Sequence, residues 1–113
     1  MFCWKTAEDF EWKQIEAISL ALSKHSKLLE FLFEKDRPCL KRTPEELLED
    51  ASCFSSGEQI LVRVALDFWS SSGGTKMLEL MDTLDQGNFE NVLLGLQYLG
   101  SKQSGGGIQP FAN

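Results

Sequence analysis

The sequence predicts an all-α fold, and three observations carry that reading. Apolar residues recur at alternating spacings of three and four in several stretches. Thr43 with Glu46 and Ser55 with Glu58 form the paired signature of helix starts. Only residues 60–69 alternate as a strand would. The expected architecture is an irregular bundle of about five helices: a long first helix, an αα-hairpin at 75–100 and a flexible C-terminal tail. A chain of 113 residues suits one domain, placed at 1–100, with the tail at 101–113.

The first helix opens at Thr6, a capping hydroxyl followed by Glu8 and Asp9 against the positive end of the helix dipole. Ile15, Ile18, Leu22, His25, Leu29 and Leu32 then form one stripe, which Ala17, Ala21 and Leu28 widen. Read as one element up to Lys35–Asp36, ahead of Pro38, this helix spans about 30 residues and about 45 Å. Its weakest stretch is Ser23-Lys24-His25-Ser26, which could hold a kink or break.

Thr43-Pro44-Glu45-Glu46 starts a short second helix, with a cap, a proline at the first helical position and a capping box. It turns Leu47, Leu48 and Ala51 inward. Ser55 and Glu58 start the next. The run from Ile60 to Trp69 fits strand alternation, yet Gln59, Arg63, Asp67 and Ser70 fall on one helical face with apolar residues around the rest. Arg63 and Asp67 are also spaced as an i,i+4 pair. The capping box decides for a helix, expected to be the most buried one.

Ser70-Ser71-Ser72-Gly73-Gly74 is a break. Thr75 is the expected cap of a helix that turns Met77, Leu78, Met81 and Leu84 inward. In Asp85-Gln86-Gly87-Asn88, Gly87 is expected in the left-handed region and Asn88 as the next cap. Phe89, Val92, Leu93, Leu96 and Leu99 make the last stripe. Gly95 inside it costs about 1 kcal/mol relative to Ala, which close approach of another helix would explain. The glycine run 105–107 reads as a linker ahead of Ile108-Gln109-Pro110-Phe111, either a frayed end or a short tethered motif.

Charge narrows the function classes. Residues 1–42 carry eight Lys/Arg and seven Asp/Glu, a net of +1; residues 43–113 carry three and ten, a net of −7. An acidic chain with no Lys or Arg in 89–99 argues against phosphate backbones, although a helix-turn-helix at 75–100 is the best competing motif. Three cysteines, Cys3, Cys39 and Cys53, lack CxxC spacing and leave an odd thiol, so a reducing, cytoplasmic setting is the simpler expectation. The N-terminus meets charge too early for a signal peptide, and no stretch approaches the roughly 18 apolar residues of a membrane span.

No reactive constellation emerges. One histidine and three scattered cysteines give no zinc pattern, and no metal or cofactor is expected. Segment 82–90 lacks the alternating oxygen ligands of a calcium loop. His25, on the apolar stripe, reads as a partly buried histidine bonded to a neighbouring helix; its joining Cys39 or Cys53 and carboxylates in an enzyme site is a further alternative. Ser55-Ser56-Gly57-Glu58-Gln59 resembles the signature loop of ABC-type ATPases, but no GxxxxGK[ST] phosphate loop accompanies it. The expected function is therefore a non-enzymatic protein–protein interaction module: an adaptor, inhibitor or assembly factor. Its partner is another protein or a second copy, and the candidate contact residues are Phe2, Trp4, Trp12, Phe31, Phe33 and Phe111.

Overall fold

A computed structural model describes residues 9–35 and 39–100. Among them are six α-helices, one short 3₁₀ turn and no strand. The helices are α1 (Asp9–Ala21), α2 (Ser26–Leu32), α3 (Pro44–Asp50), α4 (Ser56–Ser70), α5 (Met77–Thr83) and α6 (Gln86–Gly100); the 3₁₀ turn, Ala51–Cys53, follows α3. The expected cap at Thr6, Pro38 and the tail from 101 onward lie outside the described residues.

The long first helix is two helices. α1 closes through Leu22 N–H to the Ile18 carbonyl, and the backbone reverses at 22–25, within the stretch of weakest helix propensity. His25 ends this link at φ −135°, outside the helical region. On either side of the break both segments pack against α4, and Ile15, Ile18, Leu22, Leu28, Leu29 and Leu32 are all buried in one core. α2 ends at Leu32, before Lys35. The chain there turns extended, and Phe33 pairs with Leu40 in an isolated antiparallel bridge.

α4 is the central helix. Its capping box forms as the sequence predicts, Ser55 Oγ accepting from Glu58 N–H and Glu58 Oε1 from Ser55 N–H. Ile60, Leu61, Val62, Val64, Ala65 and Leu66 are buried. Gln59, Arg63 and Asp67 are half-buried and Ser70 is exposed. Apolar burial at about 25 cal/mol per Å² makes such a helix the main source of stability. α1, α2, α3 and α5 all pack against it, while α6 packs chiefly along α1. The Gln14 side-chain amide donates to the Phe68 and Trp69 carbonyls at 3.0 and 2.9 Å, satisfying two of the acceptors that the end of α4 leaves open.

The Thr43–Glu46 capping box also forms, with Leu47 buried beneath it. Gln59 donates to the Ser52 and Phe54 carbonyls, tying the 3₁₀ turn to α4. At the far end of the chain, Gly95 lies buried against α1, with the Ala17 carbonyl beside it. That contact is the close helix approach expected of a glycine at this position.

Candidate functional site

The surface built by α5 and α6 departs furthest from expectation. Met77, Leu78 and Met81 were expected inward, yet they are 77%, 67% and 53% exposed, and α5 buries none of its residues. Only Leu80, half-buried, and Leu84, just past the helix, turn to the core. The loop before α5 also departs from the sequence reading. Asp67 does not pair with Arg63; its Oδ1 accepts from the Gly73 and Gly74 amides and its Oδ2 from the Thr75 amide. Arg63 donates to the Gly73 carbonyl at 3.4 Å. Gly73 is buried so close to the Arg63 backbone that no side chain could fit. Thr75 is thereby committed to Asp67 and does not cap α5. Lys76 holds the cap position without a side-chain bond.

Burial raises the Asp67 pKa, but hydrogen bonding from Thr75, Gly73 and Gly74 outweighs it, and the carboxyl is held below its ordinary value. The Thr75 hydroxyl lies beside the carboxylate and adds to the lowering, although it forms no hydrogen bond of good geometry.

α6 also starts differently. Asp85 Oδ1 accepts from Asn88 N–H at 2.9 Å, so Asp85 caps the helix. Gly87 lies inside the helix, and the described residues with positive φ are Ser71 and Gly74. Asn88 instead turns its amide oxygen to His25 Nε2 at 3.0 Å. Val92 faces the core, whereas Leu93, Leu94, Leu96 and Tyr98 are exposed.

Between α4, α5 and α6 these residues leave a groove of about 180 Å³, lined by Val64, Asp67, Phe68, Thr75, Met77, Leu80, Val92 and Leu96. It is open to solvent and almost wholly apolar. The exposed charges of residues 76–100 are Glu79, Asp82, Asp85 and Glu90 against Lys76.

The residues singled out from sequence are not gathered here. Phe33 is fully buried and meets Trp69 edge to face at 5.1 Å, so its ring belongs to the core. Phe31 is half-buried against Phe54, with ring centroids 5.0 Å apart. Trp12 is 36% exposed on α1. Phe2, Trp4 and Phe111 lie outside the described residues. The exposed residues of α5 went unrecognised because their helical periodicity is the same as that of a buried stripe.

Among the described residues, neither Cys39 nor Cys53 hydrogen-bonds to His25. Its described side-chain partner is Asn88, while the Cys53 thiol faces the Asp50 carbonyl at 3.5 Å. Among the described residues, no cluster of three or more His, Cys, Asp or Glu side chains could hold a metal ion. Nor is any described helix long and apolar enough to cross a membrane. No protein family, curated protein or solved structure matches the chain.

Proposed function

We propose that this chain is a non-enzymatic protein–protein interaction module, an adaptor, inhibitor or assembly factor acting in the cytoplasm. The observation that carries the reading is the solvent exposure of Met77, Leu78 and Met81 on a helix none of whose residues is fully buried. A seven-residue helix is marginal by its own propensity, and large apolar groups on its outer face add nothing to its folding. Clustered apolar surface beside a groove is the usual form of a docking site, and methionine adapts to varied partner shapes. The free thiols of Cys39 and Cys53 agree with a reducing compartment.

The test is a photo-crosslinking amino acid placed at Met81 in the native host, with Glu45 on α3 as an exposed control. A discrete adduct at 81, absent at 45 and lost when Met77 and Leu78 are changed to Ser, supports the module. Adducts of equal yield at both positions, or none at 81 in the folded protein, overturn it.

A further inference from the structure

Resting on that reading, we infer that the groove between α4, α5 and α6 receives a basic amphipathic helix from a partner protein. The apolar part of the argument is the lining: Val64, Phe68, Leu80 and Leu96 wall a cavity large enough for a single anchoring side chain. Met77 and Met81 extend that apolar surface outward along α5. A helix laid on such a strip would bury residues at i, i+3, i+4 and i+7.

The electrostatic part selects the partner. Glu79 and Asp82 interleave with Leu78 and Met81 on the same short helix, and both are exposed. Asp67, held ionised by its loop amides, stands in the groove wall. The bases near these acids are Lys76, Arg63, which is turned to the Gly73 carbonyl, and Lys24, whose Nζ lies beside Gly87 on the Asp85 side of α6. A partner with Lys or Arg flanking its apolar stripe meets complementary potential, which raises the association rate and selects against acidic competitors. A second copy docking through this same face would set identical acids against one another, so self-association is disfavoured here.

Fluorescence anisotropy of the full chain tests the proposal with three labelled peptides of about 18 residues, about five helical turns. One joins a Leu/Phe stripe to a Lys/Arg polar face. A second keeps the stripe with a Glu polar face, and a third keeps the basic residues in scrambled order. The first should bind at least about ten-fold more tightly than either other, with affinity falling as salt is raised. Glu79→Gln with Asp82→Asn should reduce that affinity and its salt dependence, and Leu96→Ser with Met81→Ser should abolish binding while circular dichroism shows an intact helical fold. Equal binding of the first two peptides, or binding that survives Leu96→Ser with Met81→Ser, overturns the inference. So does concentration-dependent dimerisation that Met81→Ser removes, a result that would leave the interaction module standing. Absence of peptide binding together with absence of a Met81 crosslink would overturn both.

Discussion

A methyl group on Gly95 would lie 2.7 Å from the Ala17 carbonyl oxygen and 2.8 Å from the Phe68 ring, so the backbones of α6 and α1 meet where no side chain stands between them. Propensity alone would make Gly95→Ala stabilising by about 1 kcal/mol. The contact reverses the sign, because one neighbour is backbone and cannot step aside. Gly95→Ala should cost about 1–3 kcal/mol through overpacking. Gly57 supplies the control: it lies in the first turn of α4 with nothing within 4 Å of an added methyl, so Gly57→Ala should be neutral or stabilising by up to about 1 kcal/mol. Urea denaturation of the two variants decides it, and a Gly95→Ala protein as stable as the parent would show the approach to be looser than described.

Asp67 gives a pH dependence with a definite sign. Its folded pKa is below the ordinary 3.8, so ionisation favours the folded chain. The contribution is fully present above the ordinary value and is lost as pH falls through the lower folded value. Asp67→Asn removes the charge that the Gly73, Gly74 and Thr75 amides share. It should cost about 1 kcal/mol at neutral pH, a modest figure because solvent screens a partly exposed carboxylate. Thermal melts of parent and variant should converge as pH drops below 3.8. A gap that stays constant into acid would mean that shape, not charge, holds the loop.

His25 and Asn88 join the break between α1 and α2 to the first turn of α6. Each single substitution, His25→Ala or Asn88→Ala, should cost about 0.5–1.5 kcal/mol. The double variant should cost less than their sum, because the second change removes a partner already lost. Strict additivity in that double-mutant cycle would show that the 3.0 Å contact contributes nothing to stability.

What was legible in the chain is what depends on near neighbours. Thr43–Glu46 and Ser55–Glu58 are three residues apart, so the capping boxes could be read directly, and the second of them correctly turned 60–69 from strand to helix. The weak stretch at 23–26 and the constrained Gly95 were also visible, although what they accomplish, setting α1 and α2 separately against α4 and seating α6 on α1, was not. The misread features depend on partners far along the chain. Thr75 looked like a cap until Asp67 claimed it, and Asn88 looked like a cap until His25 did. Phe33 looked like an anchor because nothing local reveals Trp69 against its ring. The exposure of Met77, Leu78 and Met81 was hidden for a related reason: a stripe at helical spacing announces an apolar side but not what covers it.

If the outer face of α5 is kept for a partner, stability should not depend on it. Leu61 and Leu78 offer the comparison, since both are helical leucines but one is fully buried in α4 and the other 67% exposed. Leu61→Ala deletes methyl groups from the central core and leaves a cavity, at a cost of about 2–5 kcal/mol. Leu78→Ala deletes the same atoms from solvent and should stay within about 0.5 kcal/mol of the parent. Guanidinium denaturation measures both. Parent-like stability for Leu78→Ala, together with weaker capture at Met81, would separate the folding role of leucine in this chain from its recognition role. A loss of several kcal/mol at Leu78 would instead place α5 inside the core, closing the surface on which partner recognition depends.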